Sequence, residues 1–245
     1  LRLGPHAPYT CPGDILKEIV ESAKNLGVGI HIHVSETKEQ VEDSIKLTGK
    51  SPVQVLYESG GFDVNVIIAH GLWTLEEDLK FINENAIFAF CPKTYMKLSM
   101  GNGHIYELRE KLNYSFGTDG GASSNTLNPL EQARMFALNG KMISGNAADF
   151  TLQEIWERLM NGHKALNFNT GKIAEGYDAD LLIWDLNMAN TFPVYNPLTT
   201  IIYSSDSNNI KHTMVQGEFL KFNGELKMDS NFVIDKVGEI QKKIL

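Results

Sequence analysis

A chain of 245 residues that is 42% hydrophobic and 21% charged has the composition of a globular protein with a substantial core. Its 22 basic and 30 acidic residues give a formal net charge of −8, which argues against nucleic acid and anionic membrane surfaces as partners. Two cysteines, Cys11 and Cys91, are too few for a disulfide framework, and no run approaches the ~18 apolar residues of a membrane span, so we expect a cytoplasmic protein.

The first part of the chain alternates predicted strands with predicted helices. Short β-rich runs, each ending at a polar or small residue, occupy residues 28–34, 64–70, 86–91 and 114–119. Helices are predicted at 12–26, after the Ser51-Pro52 pair, and after a capping box formed by Thr74 and Glu77. This alternation is typical of a parallel sheet.

The second part of the chain has a different pattern. A helix is predicted from Thr151, with Glu154 three residues later, to residue 166. Beyond it, residues 171–186, 200–204 and 213–226 are predicted to be strands joined by turns, and residues 232–245 to be a terminal helix. We therefore predict domains at residues 1–168 and 169–228, followed by a C-terminal helix at 229–245.

Reactive residue types lie at the ends of the predicted strands. His33, His70 and Asp119 each end such a run. The carboxyl ends of barrel strands meet at one mouth, and imidazole and carboxylate groups are ligands that zinc prefers. Because strand side chains alternate, His31 and His33 lie on the same face and could supply a local pair of ligands. Glu36 is well located for proton transfer.

Each of these residues also has a structural interpretation. A histidine at a strand end is more often hydrogen-bonded for packing than bound to a ligand. Asp119 precedes Gly120-Gly121 and could simply hold loop amides in a turn. For three further histidines a surface or packing role suffices: His104, His163 and His212.

Five segments carry a more specific pattern, together with the tail at residues 171–181. In chain order they are residues 4–9 (Gly-Pro-His-Ala-Pro-Tyr), 31–37 (His-Ile-His-Val-Ser-Glu-Thr), 69–70, 96–98 and 117–125. Together they resemble the 5′-methylthioadenosine/S-adenosylhomocysteine deaminase branch of the amidohydrolase superfamily, which is close to the triazine chlorohydrolases. The resemblance covers essentially the whole chain.

The resemblance implies an α/β fold: the C-terminal part of a (β/α)8 TIM-type hydrolase barrel plus a small β-sandwich domain. Residues 1–168 would hold barrel strands 4 to 8, and residues 169–228 a portion of the sandwich. It also implies one divalent metal, zinc or sometimes iron, with His33 and Asp119 among its ligands.

The same resemblance implies roles for the other residues. His70 would face the metal-activated water and the leaving group, and Glu36 would protonate a ring nitrogen of the substrate. Asp119 would accept the proton of the water, and His6 would contact the substrate. Catalysis would thus fall to Glu36, His70 and Asp119, and substrate binding to His6, Glu36 and His70.

Two departures from the family pattern affect the site. No His-x-His pair precedes His6, so we expect this chain to supply about half a barrel and half of the ligand set. The branch commonly has His-Asn-Pro where this chain has Phe90-Cys91-Pro92, and small and amide residues where it has Lys93-Thr94-Tyr95. We therefore expect a substrate pocket that differs from that of the branch.

The leading hypothesis is an amidohydrolase that deaminates a purine-like or other N-heterocyclic small molecule. A homo-oligomer is compatible with this hypothesis. One alternative is a triazine-type chlorohydrolase or aminohydrolase, which shares the metal site and differs in the pocket. Another is an inactive truncated homologue that lacks the His-x-His pair and acts as a structural module. Retention of four reactive residues favours an enzyme: His33, Glu36, His70 and Asp119.

Overall fold

The computed structural model describes residues 1–244, which form two compact units, Leu1–Asn167 and Phe168–Leu245. The first unit is built on a parallel sheet of five strands in the order β1-β2-β3-β4-β5. The strands are β1 (Arg2–Leu3), β2 (Gly29–Val34), β3 (Val66–His70), β4 (Ala86–Phe90) and β5 (Tyr114–Phe116). The predicted alternation of strand and helix is therefore present, with β2 to β5 inside the four predicted runs.

Helices lie between most of the successive strands of this sheet, and three more follow β5. They are α1 (Gly13–Leu26), α2 (Lys38–Thr48), α3 (Pro52–Glu58), α4 (Pro92–Lys97), α5 (Ile105–Leu108), α6 (Gly121–Ser124), α7 (Pro129–Ser144) and α8 (Leu152–Ala165). A 3-10 helix, Glu76–Phe81, lies between β3 and β4. Helix α1 packs against β2, and α8 packs against β5.

The two faces of the sheet differ in burial. In the register of β2 and β3, Ile30 pairs with Val66 and Ile32 with Ile68, and these four side chains are fully buried. On the opposite face His33 pairs with Ala69, and the His33 side chain is half-buried. One face of the sheet is thus the apolar core, and the other carries the polar strand-end groups.

An aromatic cluster fills the core between the sheet and α7. Phe136, on α7, is fully buried and stacks on Tyr106 with ring centroids 4.9 Å apart. Its ring also lies within 5.4–5.6 Å of four other aromatic rings: Phe90, Tyr114, Phe116 and Phe150. The cluster joins β4 and β5 to the helices behind them.

Two predicted helix caps are confirmed and one is wrong. Ser51 Oγ accepts a hydrogen bond from the Gln54 amide, and Thr151 Oγ1 accepts one from the Glu154 amide. The capping box at Thr74 does not form. The 3-10 helix begins two residues later, and Asp78 accepts a hydrogen bond from the Leu75 amide at 2.9 Å. Glu77 and Asp78 both follow Thr74 and could each accept a hydrogen bond at the helix start. Asp78 is the one that does so, and it is also in buried contact with Ser51.

The second unit contains an antiparallel sheet of four strands in the order β6-β7-β8-β9. The strands are β6 (Leu181–Trp184), β7 (Ile210–Val215), β8 (Glu218–Phe222) and β9 (Glu225–Leu226). The predicted strand at 171–186 is thus confined to β6, because residues 174–178 form turns such as the one closed by the Tyr177 amide and the Ala174 carbonyl.

The predicted strand at residues 200–204 is wrong. Asn196 caps the short helix α9 (Pro197–Thr199), and the chain continues directly into a π-helical turn, Thr200–Ser204. The Ser205 amide donates to the Thr200 carbonyl at 2.9 Å, as expected for this wider turn. The β-branched residues Thr-Ile-Ile favour a strand locally, and the upstream cap overrides that preference.

Helix α10 (Ser230–Ile244) is the predicted terminal helix, and the last residue of that prediction, Leu245, lies outside the described residues. Among residues 1–244 there is no helix with the length and apolar character needed to cross a membrane.

Truncation of Phe136 should destabilise the first unit. We expect Phe136→Ala to lower the free energy of unfolding by about 3–5 kcal/mol, because it leaves a cavity among five aromatic rings. The control is Leu138→Ala on the same helix, where the side chain is 50% exposed and the expected loss is below about 1 kcal/mol. Urea unfolding followed by tyrosine and tryptophan fluorescence measures both, and equal losses would contradict this description of the core.

Candidate active site

The backbone carbonyl of His6 connects the loop after β1 to the end of β2. The His6 carbonyl accepts hydrogen bonds from the His33 amide at 3.0 Å and from His33 Nδ1 at 2.7 Å. The His6 ring is exposed, bonds to Thr10 Oγ1 through Nδ1 at 2.9 Å, and lies 5.1 Å from the His33 ring. The two predicted site histidines are therefore neighbours.

The hydrogen bond to His6 also sets the tautomer of His33. A carbonyl oxygen only accepts, so His33 Nδ1 carries the proton in this contact. In the neutral ring, Nε2 then has a free lone pair. Orientation of a ligating imidazole through its other nitrogen is the usual arrangement in metal sites.

At His70 the backbone departs from regular strand geometry, so its side chain does not follow the alternation of the strand. His70 is the last residue of β3, 2% exposed, and its φ of 68° lies in the left-handed region that non-glycine residues seldom occupy. Alternation alone would direct it to the same face as Val66 and Ile68. Instead its ring stacks on His33, with centroids 5.4 Å apart and planes at 24°.

Gly71, the residue after His70, also has a left-handed backbone conformation. Gly71 has a φ of 62°, and a Cβ at this position would overlap the Phe88 ring. Its amide donates to the Val34 carbonyl at 3.0 Å, which ties the turn back to β2. Only glycine is therefore compatible with the second position of the His70-Gly71 turn.

Glu36 faces His70 from the loop after β2. Its Oε1 lies 3.6 Å from His70 Nε2, and its Oε2 accepts a hydrogen bond from Gln40 Nε2 at 3.4 Å. The Nδ1 atom of His70 is buried and has no hydrogen-bond partner. Burial lowers the pKa of His70, and the carboxylates of Glu36 and Asp119 only partly offset that effect.

Asp119 follows β5 by three residues in a left-handed turn, with φ of 57°. Its Oδ1 accepts a hydrogen bond from the Gly120 amide at 2.6 Å. Partial burial alone would raise the pKa of Asp119, but hydrogen bonds from Ser123 and the Gly120 amide lower it overall. The proposed turn role of this residue is thus real, and it leaves the carboxylate ionised beside His70.

The two residues that replace the family's usual His-Asn pair face different surroundings. Phe90 is fully buried in the aromatic cluster, 4.6 Å from Tyr114, and so lies on the core side of β4. Cys91 is buried, and this burial, together with the charge of the nearby Asp119, raises the pKa of the thiol to about 12. Cys91 is therefore a neutral thiol at neutral pH, and Phe90 does not line the site.

Helix α4 fastens the loop that carries Asp119. Lys93 Nζ, only 18% exposed, donates to Glu131 Oε2 at 2.9 Å and to Thr126 Oγ1 at 2.8 Å. Lys97 Nζ donates to Asn125 Oδ1 at 2.6 Å and to the Ala122 carbonyl at 3.2 Å. Two lysines of one helix therefore hold residues 122–131.

The donor atoms fit part of a zinc site. His33 Nε2 and the Asp119 carboxylate are suitable ligands, and catalytic zinc ordinarily takes three protein ligands. Within residues 1–244, no group of three or more His, Cys, Asp or Glu side chains could hold a metal ion. A zinc site that uses His33 and Asp119 therefore requires at least one further donor.

The structure brings the predicted residues together. His6 contacts His33, His33 stacks on His70, and His70 faces Glu36. Asp119 is close enough to His70 to affect its pKa. Sequence reasoning missed one participant, Tyr95, which contacts His70; its departure from the family pattern was the available signal.

Comparison with known proteins agrees with this geometry. The family model described as "Amidohydrolase family" matches residues 1–220. The chain belongs to this family. It is 37% identical over 241 residues to a 5-methylthioadenosine/S-adenosylhomocysteine deaminase of Pyrococcus horikoshii, an alignment that covers 96% of this chain and 56% of the relative. This amidohydrolase chain thus spans little more than half the length of the curated relatives it matches.

Solved structures support the fold. A zinc-bound adenosine deaminase from Xanthomonas campestris superposes with a TM-score of 0.93 at 26% identity, covering 99% of this chain and 57% of that one. A zinc-bound variant of the atrazine chlorohydrolase of Arthrobacter aurescens superposes with a TM-score of 0.88 at 21% identity, covering 97% and 54%. The predicted fold class of the amidohydrolase chain, part of a TIM-type barrel plus a small β unit, is confirmed.

The Lys93–Glu131 pair should contribute stability that depends on pH. Although partial burial alone would raise the pKa of Glu131, hydrogen bonds from Thr126 and Lys93 lower it below its ordinary value of 4.5. A lowered folded-state pKa means that the stabilisation is present above pH 4.5 and is lost as the pH falls through the folded value. We expect Glu131→Gln to cost about 1–2 kcal/mol at pH 7 and markedly less near pH ~3.

Urea unfolding at the two pH values measures this difference. The matched control is Glu42→Gln, which removes an exposed ion pair with Lys38 and should cost less than about 0.5 kcal/mol at pH 7. A cost for Glu131→Gln that is equal at both pH values would mean that the charge of the carboxylate contributes nothing.

Proposed function

We propose that this chain contributes one half of the active site of a metal-dependent deaminase acting on a purine-like or other N-heterocyclic small molecule. The observation that carries the proposal is the contact between Glu36 Oε1 and Nε2 of the buried His70, 3.6 Å apart. The His70 ring stacks on His33, and its Nδ1 has no hydrogen-bond partner. Such a cluster has little structural purpose, since it buries a ring nitrogen without a partner.

The chain's own residues divide the chemistry between them. His33 and Asp119 are the candidate ligands for a divalent metal, zinc rather than iron in the first instance, and such an ion supplies Lewis-acid activation of water. Asp119, ionised because its pKa is lowered, accepts a proton from the attacking water. Glu36 delivers a proton to the ring nitrogen next to the carbon under attack and recovers one from the added hydroxyl group, while the proton held by Asp119 leaves with the amino group as ammonia.

His70 and His6 complete the substrate side. Burial favours the neutral imidazole of His70, so its unpaired Nδ1 is available to hydrogen-bond to the leaving group or to the water. The exposed His6 ring lies beside His33 and can contact the bound heterocycle. The names of the relatives, which include 5'-deoxyadenosine deaminases, favour an adenine nucleoside as the substrate class.

Substitution of Glu36 should abolish most of the activity. The assay follows ammonia release from adenine nucleosides by the complete natural polypeptide that contains these 245 residues. We expect Glu36→Gln to lower kcat by about 10²–10⁴-fold, because it removes the proton donor and leaves the shape of the side chain unchanged. The control is Glu39→Gln, an exposed residue of α2, which should retain wild-type activity.

The substrate panel includes 5′-methylthioadenosine, S-adenosylhomocysteine, 5′-deoxyadenosine, adenosine and chlorinated and methoxylated triazines. Chloride or methanol release from the triazines without ammonia release from the nucleosides would replace the deaminase proposal with the triazine hydrolase alternative. Absence of turnover on every compound by the zinc-loaded protein would favour an inactive homologue.

Metal content should depend on His33. We expect the complete polypeptide to bind about one zinc per chain, and His33→Ala to weaken that binding at least about 10-fold, because an imidazole ligand is lost. Chelation should remove activity and added Zn²⁺ should restore it. The measurement is zinc per chain by mass spectrometry after dialysis against a zinc buffer.

His212→Ala is the matched control, since His212 lies in β7 of the second unit and packs against Phe222. It should bind zinc as the wild type does. Equal zinc content in His33→Ala and the wild type would exclude His33 as a ligand.

A further inference from the structure

The buried tyrosine of α4 joins the ends of two neighbouring strands. Tyr95 is 2% exposed, and its hydroxyl accepts a hydrogen bond from the Cys91 amide at 2.8 Å. The same hydroxyl donates to the His70 carbonyl at 3.3 Å. One oxygen atom thus links the residue that ends β3 to the residue that follows β4.

On the side of β4, the sheet no longer supports the His70 carbonyl, although His70 still pairs with Val34 of β2. The register of β3 and β4 ends at the pair Ala69 and Ala89, one residue before His70. His70 then turns into the left-handed region, which a non-glycine residue occupies only when its surroundings hold it there. The Tyr95 hydroxyl bonds to this residue's backbone at the point where the turn begins.

The aromatic ring of Tyr95 contacts the same residue. Its centroid lies 5.8 Å from that of His70, while His33 lies 5.4 Å from His70. The His70 side chain is therefore enclosed by Tyr95, His33 and Glu36. A shift of the backbone at His70 would move the ring relative to both of the other site residues.

We propose that Tyr95 is a positioning residue, whose hydroxyl holds His70 in its left-handed conformation and so sets the His70 ring against Glu36 and His33. As a statement about catalysis this rests on the proposed function, because His70 is assigned its role there. Tyr95 acts through His70 and touches no reacting atom. Tyr95 belongs to the segment Lys93-Thr94-Tyr95 that departs from the family pattern, and this links the change in sequence to the geometry of the site.

A direct role in proton transfer does not fit the surroundings of Tyr95. Burial, together with the neighbouring Cys91, raises the pKa of Tyr95 well above its ordinary value. The hydroxyl therefore keeps its proton at neutral pH and remains a hydrogen-bond donor to the His70 carbonyl.

The test is Tyr95→Phe in the complete natural polypeptide, which removes the hydroxyl and keeps the ring. The matched control is Tyr106→Phe, since Tyr106 is also buried and its hydroxyl accepts a hydrogen bond from Asn139 at 2.9 Å, away from His70. Tyr95→Phe removes two buried hydrogen bonds and Tyr106→Phe removes one, so the loss of stability should be of the same order and somewhat larger for Tyr95→Phe.

We expect Tyr95→Phe to lower kcat by about 10–100-fold with KM within about 2-fold of wild type, because misplacement of a catalytic group acts mainly on the chemical step. Tyr106→Phe should retain wild-type kcat. In a His70→Gln background, Tyr95→Phe should cause no further loss, because the group that it positions is already absent. A kcat for Tyr95→Phe within about 2-fold of wild type, or an undiminished loss in the His70→Gln background, would overturn the proposal.

A spectroscopic readout separates this proposal from the proposed function. In ¹H–¹⁵N spectra of ¹⁵N-histidine-labelled protein, the imidazole signals of His70 should shift in Tyr95→Phe and stay in place in Tyr106→Phe. Shifted signals in a protein without deaminase activity would uphold the positioning role and reject the function. Unchanged His70 signals in Tyr95→Phe would reject the positioning role, whatever the activity.

Discussion

The parallel direction of the five strands is the constraint on which the candidate site depends. In a parallel sheet all carboxyl ends lie at one edge, so side chains that follow different strands can meet there without long loops. His33, His70 and Asp119 come from the ends of three strands and share this edge. The His6 carbonyl adds the loop after β1 through its two hydrogen bonds from His33. A helix-rich or antiparallel arrangement of the same residues would separate them.

Within that frame, the site departs from regular structure at the residues proposed to act. His70 and Asp119 both have positive φ, and at His70 this conformation redirects a side chain that a regular strand would send to the core face. Such conformations are unfavourable for residues with a Cβ and persist only where the surroundings impose them. Here the surroundings are the Gly71 turn, the Tyr95 hydroxyl and the Gly120 amide. The regular sheet brings the residues near one another, and these local contacts orient them.

The residues that differ from the family pattern have separate effects. Phe90 contributes to the aromatic core, Lys93 fastens the Asp119 loop through Glu131, and Tyr95 contacts His70. Cys91 and Thr94 both combine burial with closeness to Asp119, and Cys91 does so as a neutral thiol. Most of this change in sequence therefore concerns the support of the site. Of these departures, Cys91 and Thr94 are the ones that lie beside a candidate site residue, Asp119.

Local sequence determined the strands β2 to β5 and the caps at Ser51 and Thr151, and it indicated the candidate site residues, because periodicity, capping chemistry and motif spacing are encoded over a few residues. Only the tertiary structure decided which way His70 turns, that Phe90 lies in the core, that the helix after Thr74 has its N-cap at Leu75 with Asp78 accepting from its amide, and that residues 200–204 form a π-helical turn. The first three depend on contacts with residues distant in sequence, with Tyr95, Tyr114 and Ser51 respectively. The turn at residues 200–204 depends on the upstream cap at Asn196. Strand alternation and β propensity express only the local preference of a residue. That preference is small, and the free energy of burial against a distant partner outweighs it.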